Sequence, residues 1–453
     1  PFETFAPVFL EKVIPDTMEF GLVTVGCWSK AQRACVYNTG SVALEVTDIK
    51  FQGCTPEFKK KNVPGLPKQV APNVPFCFEV AYAPQDEGTD ECVMQISSND
   101  QSLPSLNVAL SGTGTYETHQ TDRFKQVSGQ EVDILFVIDD SGSMCEEQDR
   151  LVSNFAEFIQ QSTIWNNDYH IGVISTMVTN DNVKGRLNRG NKTITPRFIT
   201  PNAQAQSQFQ RLAKLGCDGG SDSQEAALQA AEAALSAPLI SDTGIACTSD
   251  DQCRNDKSLC ASPTGCPYLC VEGTCGGFNK SFLRKDAQLE IIVLSDEEDQ
   301  SNGAPSYYID FFKNIKGYYN VNMMHVNVIV GMPAKPGDQT CSSPDGSTSA
   351  EVGKRYLEVA DQTGGKKGSI CDPNFATVMN QIGAQAFGLK VQFYLSRLAD
   401  PATVTVKVKG AACSSGWTYD APSNSVIFDD QGPCMPQPGD DVVIDYETLC
   451  LTS

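Results

Sequence analysis

Eighteen cysteines constrain this chain more than any other feature. Their number is even, no Cys-x2-Cys pair occurs, and only His119, His170 and His325 accompany them. Zinc sites built from Cys and His usually use such pairs. The cysteines therefore read as disulfides, and the chain as one that matures in an oxidising compartment. Their distribution adds a topological demand. The first part holds five (Cys27, Cys35, Cys54, Cys77, Cys92) and the last holds three (Cys413, Cys434, Cys450). If all pair, at least one bridge must leave each part. A link from Cys54 or Cys27 to Cys450 would close the chain on itself.

Six more cysteines (Cys247, Cys253, Cys260, Cys266, Cys270, Cys275) crowd into 241–279 among Ser, Asp, Gly and Pro. That stretch is too polar to bury a core, so three internal disulfides would hold it, in any one of about 15 connectivities. Cys341 and Cys371 flank a Gly-rich excursion and form a candidate pair. Cys413 and Cys434 are also expected to be bonded.

With 453 residues the chain has room for about three domains. Its formal charge of −21 disfavours nucleic acid and anionic membrane surfaces, which both call for a basic patch. No apolar run reaches the roughly 20 residues that span a bilayer. The chain begins at Pro1 with no signal peptide, so the expectation is a mature or trimmed form, with membrane attachment only through a lost lipid anchor.

Three segments differ in pattern. In 1–118, short alternating apolar stretches (34–37, 44–49, 77–82, 92–96, 106–110) are separated by Gly, Pro, Asn and Asp. Short strands with frequent turn signals point to a β-sandwich. The order of its phrases resembles immunoglobulin-like domains of the ASH, or choice-of-anchor D, type. These phrases are Glu19-Phe-Gly-Leu-Val-Thr-Val-Gly26, Tyr37-Asn-Thr-Gly40, Tyr82-Ala-Pro84 with Gly88, Ile96-Ser-Ser-Asn-Asp100 and Leu110-Ser-Gly-Thr-Gly114. The resemblance implies a spacer or interaction module.

The segment 130–387, interrupted by the Cys-rich insertion, alternates strand-like pieces (131–138, 170–176, 289–294, 324–330) with helix-like ones (146–161, 206–215, 224–235, 306–315, 350–360, 375–385). Such alternation predicts a mostly parallel sheet covered by helices. The segment 388–453 returns to a β pattern, as a small β-domain with Trp417 as a core residue.

Within the middle segment, the buried-strand pattern of 134–138 runs into Asp139-Asp-Ser141-Gly-Ser143. This places a carboxylate and two hydroxyls at alternate positions where a strand ends. In open α/β sheets that edge binds ligands. Asp-x-Ser-x-Ser there resembles the first loop of the metal-ion-dependent adhesion site of von Willebrand factor A and integrin inserted domains. Two further loops follow in that family's order: Leu215-Gly-Cys-Asp-Gly-Gly-Ser221 before an Ala-rich helix, and Ile291-Ile-Val-Leu-Ser-Asp296. The expected fold class is thus multidomain: a central α/β doubly wound, Rossmann-like von Willebrand A domain, flanked by the immunoglobulin-like sandwich and the small β-domain.

The resemblance implies Asp139, Ser141, Ser143, Ser221 (with Ser223 as the neighbouring choice) and Asp296 as metal-site residues. Hard oxygen donors suit Mg2+ first, with Ca2+ or Mn2+ as alternatives. The bland reading of these Ser and Asp residues is helix capping. Glu297, Glu298 and Asp299 extend an acidic rim that reads as a solvated loop. If the three loops converge, Cys145 and Cys217 become neighbours and are expected to form a disulfide.

The implied function is metal-dependent adhesion at a bacterial-type cell surface or outer membrane, or in a secreted or periplasmic setting. A protein or glycan ligand would present a carboxylate to the ion. The alternative is a disulfide-stabilised envelope scaffold whose metal is internally capped or purely structural. No Gly-x-Ser-x-Gly elbow, His-Glu-x-x-His helix or phosphate loop points to an enzyme. His170, in an apolar strand beside Tyr169, reads as structural.

Overall fold

The computed structural model describes residues 11–101, 103–191, 193–217, 224–263, 266–318, 320–343 and 349–452. The chain divides into two compact units. One comprises Pro1–Ser128, Asn302–Val321 and Leu389–Ser453; the other comprises Gly129–Ser301 and Asn322–Gly388.

In the first unit, alternation of apolar and polar residues produces two facing sheets. One has the strand order Glu11–Ile14, Gln32–Asn38, Phe76–Tyr82, Phe58–Lys61, all antiparallel. The other orders Thr17–Thr24, Ser105–Thr115, Gly88–Ser98, Leu44–Gln52, Lys68–Val70. Met18, Val46, Phe78, Tyr82, Ile96 and Val108 are buried together in one core. This is an immunoglobulin-like sandwich. Gly112 is fixed by the core, because a Cβ there would lie 2.6 Å from the Tyr82 ring.

The same unit carries a second β-layer pair. His119–Lys125 pairs antiparallel with Asp441–Glu447, which continues into Thr405–Val408 and Ala411–Cys413. Gln392–Tyr394, Ser425–Phe428 and Trp417–Asp420 form the facing sheet. The last β-region therefore takes a strand that lies before residue 130 in sequence. Cys27 bonds to Cys450, and the Trp28 amide donates to the Leu451 carbonyl at 2.9 Å.

The second unit contains a five-stranded, all-parallel sheet in the order Asp168–Ser175, Glu131–Ile138, Gln288–Ser295, Met324–Val330, Lys367–Ser369. Val132, Ile134, Phe136 and Ile138 have no exposed surface, as expected of an apolar run buried on both faces. Phe136 packs on Phe209 (ring centroids 4.7 Å apart) and Phe158 (5.8 Å). Because all five strands run the same way, Asp139 and Asp296 follow adjacent strands at the same edge.

Two expectations are corrected. A central doubly wound, Rossmann-like von Willebrand A domain over 130–387 is not the architecture found. Among the described residues, twenty-six strands in seven sheets outweigh eight α-helices, none longer than 12 residues. The span is also not one body, since 302–321, with its helix Pro305–Asn314, groups with the β-rich unit. The parallel sheet is one sheet among several, beside the insertion's three strands and the hairpin Thr340–Ser342/Ser349–Glu351.

The helical periodicity overreached for local reasons. The helix expected over 146–161 is two helices, Cys145–Ser153 and Phe155–Trp165. They part at Asn154, whose side-chain amide donates to the Arg150 carbonyl at 2.7 Å and competes for the ladder. Part of 350–360 is strand rather than helix. With the fold class falls the von Willebrand A recognition that rested on it.

All eighteen cysteines are paired. Besides Cys27–Cys450, the pairs are Cys35–Cys77, Cys54–Cys92, Cys145–Cys217, Cys341–Cys371 and Cys413–Cys434. In the insertion they are Cys247–Cys270, Cys253–Cys275 and Cys260–Cys266.

Candidate metal site

The site grows from the end of Glu131–Ile138. Parallel pairing continues one residue further, with the Asp139 amide donating to the Leu294 carbonyl at 2.9 Å. That fixes the backbone of Asp139 beside the neighbouring strand, and its side chain has no exposed surface. The Ser141 amide donates to Asp139 Oδ1 at 2.8 Å, and the Ser295 hydroxyl to Oδ2 at 2.7 Å. The hydroxyls of Ser141 and Ser143 lie 3.2 Å apart, and Ser143 is exposed. Neither serine caps the following helix. Its N-cap is Met144, with no side-chain cap bond. The capping role that Ser and Asp often serve is not taken up here.

Asp296 stands at the end of the adjacent strand and is 6% exposed. The Ser143 side chain lies near enough to favour its charged form. Its Oδ1 is buried without a hydrogen-bond partner among the described residues. An orphaned buried carboxylate oxygen is costly unless a cation meets it.

The electrostatics point the same way. Burial, opposed by the Ser141 and Ser295 hydrogen bonds and reinforced by the charge of Asp296, pushes the Asp139 carboxyl up to about 6. Asp296 is raised by burial and by the charges of Glu147 and Glu297, against the Ser143 side chain. Glu225 joins them, 3% exposed and pushed up to about 8 by burial and by the charges of Asp139 and Glu297. Gln300 Nε2 donates to Glu225 at 3.1 Å and to Glu297 at 3.4 Å. The nearby cations serve other carboxylates: Arg189 pairs with Asp140 at 3.2 Å and Arg150 with Glu147 at 2.7 Å. The donor set that remains, two carboxylates and two hydroxyls, is hard oxygen throughout and fits Mg2+, Ca2+ or Mn2+.

Ser221, and its neighbour Ser223, lie outside the described residues. The approach to that loop is nonetheless tied to the first. Cys145 is bonded to Cys217, and Gln148 Nε2 bridges the carbonyls of Asp139 (2.9 Å) and Gly216 (3.0 Å).

The acidic rim splits by role. Glu298 accepts from the amides of Lys354 and Arg355 at the start of the helix Lys354–Thr363, an N-terminal position that favours a carboxylate. Asp299 is buried, pairs with Arg355 Nε at 2.9 Å and accepts from the Leu228 amide. Sequence reasoning missed Glu225. In so acidic a chain nothing marked it, and only folding brings it beside Asp139. Among the described residues, three sulfurs within 4.8 Å of one another (Cys247, Cys253, Cys275) also have metal-site spacing, but all three are in disulfides and offer no thiolate.

No protein-family model matches the chain, and no curated protein matches it. Solved structures match it in part. A protein of unknown function from Porphyromonas gingivalis W83 is 13% identical with a TM-score of 0.20, over 23% of this chain and 46% of that one, so less than half of its length is spanned. The ASH/PapD-like domain 7 of human CEP192 is 10% identical with a TM-score of 0.17, over 24% of this chain and 86% of that one. Proximal thread matrix protein 1 of the mussel byssus is 10% identical with a TM-score of 0.29, over 60% of this chain and 49% of that one. Scores of this size carry no functional argument. With no family model behind it, the assignment to von Willebrand A domains and their adhesion site is withdrawn, and the site stands on its own residues.

Proposed function

We propose that Asp139, Ser141, Ser143 and Asp296 hold a divalent cation, Mg2+ in preference to Ca2+ or Mn2+, and that the chain is a binding protein rather than an enzyme. At an open position of the ion, an acidic group of a protein or glycan partner would bind. The observation that carries this reading is Asp296 Oδ1, a buried carboxylate oxygen without a partner among the described residues, beside a second buried carboxylate. Two carboxylates balance the charge of a divalent ion without exceeding it, and neutral hydroxyls fill only part of its coordination shell, so an open position stays electrophilic toward an oxygen from outside. Ser143, exposed at the rim, marks where that group would enter.

Nine disulfides suit an extracellular or secreted protein. Among the described residues no helix is long and apolar enough to cross a membrane. Placement at a cell surface, outer membrane or periplasm belongs to this proposal, as does a lipid anchor.

One observation favours a second reading, a structural ion capped from within. Glu225 already lies in the field of Asp139 and could supply the last carboxylate. Pull-downs from candidate surfaces, with and without EDTA, separate the two. Adhesion requires that EDTA and Asp139→Ala each abolish recovery while the fold persists. Equal recovery in all arms rejects metal-dependent binding, and recovery lost only together with folding favours the structural ion.

A further inference from the structure

The chain carries 55 acidic residues against 34 basic ones, yet the stretch 182–217 holds seven Lys and Arg and no Asp or Glu. Three of the seven are engaged within the fold: Arg189 by Asp140 (3.2 Å), Arg197 by Glu272 (2.6 Å) and Lys214 by Asp149 (2.6 Å). Lys184 and Arg186 are half-buried and form no ion pair among the described residues. Arg254 joins them from the insertion helix Asp250–Asn255, likewise half-buried and without an ion pair among the described residues. Burial lowers the proton affinity of Arg186; the charge of Asp181 opposes this and that of Arg254 adds to it. Like charges gathered in this way repel one another, and an anion placed among them relieves the repulsion.

The stretch is fixed in place. Asn188 (φ 53°), Arg189 (φ 52°) and Gly190 (φ 71°) take the left-handed conformation in succession, which residues other than glycine rarely adopt. Tertiary bonds hold them there. The Leu187 amide donates to Oδ1 of the fully buried Asn279 at 3.1 Å, and Asn188 Nδ2 donates to the Pro196 carbonyl at 3.1 Å. Arg189 is thereby aimed at the cation site. One guanidinium nitrogen meets Asp140, next to Asp139, and Nη1 donates to the Leu215 carbonyl at 3.1 Å. Arg186 is three residues from Arg189 and Lys184 five, so their backbones lie within about 10 Å and about 18 Å of it even at full extension. An extended peptide of six residues spans about 20 Å.

We propose that Lys184, Arg186 and Arg254 form the second half of a docking surface whose first half is the cation site, and that the partner is a protein with an extended acidic segment. One carboxylate of that segment sits on the ion, and its neighbours meet the three cations. The inference rests on the cation-site reading. A guanidinium takes a carboxylate in a planar, two-point bond. The net charge of −21 repels such a segment from the rest of the chain and so favours this stretch as its landing place. The stretch 178–197 has no aromatic side chain on which a sugar ring would stack, which favours a peptide over an acidic glycan.

The test titrates the full chain with hexaglutamate in excess Mg2+ at two ionic strengths, with hexaglutamate in EDTA and hexagalacturonate in Mg2+ as parallel arms. Calorimetric uptake of Mg2+ alone is measured beside them. The expected result is saturable hexaglutamate binding that is lost in EDTA and weakened by salt. Lys184→Gln/Arg186→Gln should keep its circular dichroism spectrum and its Mg2+ uptake, and should bind hexaglutamate at least fivefold more weakly with a shallower salt dependence. If that variant does not fold, Arg254→Gln serves, with at least a twofold loss expected. Mg2+ uptake without hexaglutamate binding, or with unchanged hexaglutamate affinity in the folded variants, overturns this inference and leaves the cation site standing. Absence of Mg2+ uptake by the wild type overturns both. Hexagalacturonate bound more tightly than hexaglutamate overturns the peptide partner in favour of a glycan.

Discussion

Removal of the Cys145–Cys217 bridge should lower stability by about 4 kcal/mol. The bridge closes a loop of 72 residues, and no other disulfide has an end inside it. For a loop of that length, the chain entropy withheld from the unfolded state amounts to roughly 4 kcal/mol at 25 °C. Little packing is lost with it, because Cys145 is exposed. The native arrangement has a second tie in Gln148, which bridges the Asp139 and Gly216 carbonyls. A Cys145→Ser/Cys217→Ser double variant should therefore keep its fold and lose stability through the unfolded state.

Guanidinium titration followed by circular dichroism measures this. The transition of the sheet-bearing unit should move to lower denaturant, with a steeper slope because the unlinked unfolded chain exposes more surface. The transition of the β-rich unit should stay in place. A loss below about 1 kcal/mol, or an unchanged slope, would refute the reasoning, since either would mean that the loop is restrained by something other than the bridge.

Two further outcomes follow from the core of the same unit. Phe136, without exposed surface and packed on Phe209 and Phe158, should cost about 3–5 kcal/mol on truncation to Ala in the same titration; a cost under about 1 kcal/mol would contradict its central place. His325 sits 2.8 Å from the Glu290 carboxylate. Burial works to lower its pKa, but the charge and hydrogen bond of Glu290 carry it above the ordinary value, against Lys366. A folded pKa raised above the unfolded one means stability that is fully present below about pH 6.5 and lost as pH rises through the folded value. The stability difference between wild type and His325→Gln should shrink between pH 6 and pH 8.5, and a flat difference would sink the assignment.

The placement of several candidate residues could be read before the fold was known. The run 134–138 had to be a buried strand, and the turn that follows it folds Ser141 back so that its amide meets Asp139 Oδ1 and its hydroxyl lies beside that of Ser143. Asp296 was legible as the residue that ends a second apolar strand. Glu225 was not, since its role comes from burial and from the charges that folding places around it. Glu298 and Asp299 looked like free acidic surface until two helix starts, at Leu228 and Lys354, turned out to need their oxygens.

The larger architecture was misjudged where pattern alone could not see pairing partners. The polar strand His119–Lys125 gave no apolar signal, yet it supplies an edge to the last β-region. The helix Pro305–Asn314 has the spacing of a sheet-covering helix, yet its segment groups with the β-rich unit. Odd cysteine counts at both ends did foretell closure, because parity survives any uncertainty about local structure. Cys27, rather than Cys54, proved to be the residue joined to Cys450.

The central claim is that Asp139 and Asp296 are a cation site, and calorimetric titration of the full chain with Mg2+ tests it most directly. The account predicts one saturable site in the wild type and its loss in Asp296→Asn, a nearly isosteric change that removes the charge while the circular dichroism spectrum stays the same. A wild-type chain that takes up no Mg2+, or an Asp296→Asn chain that binds it with undiminished affinity, would contradict it.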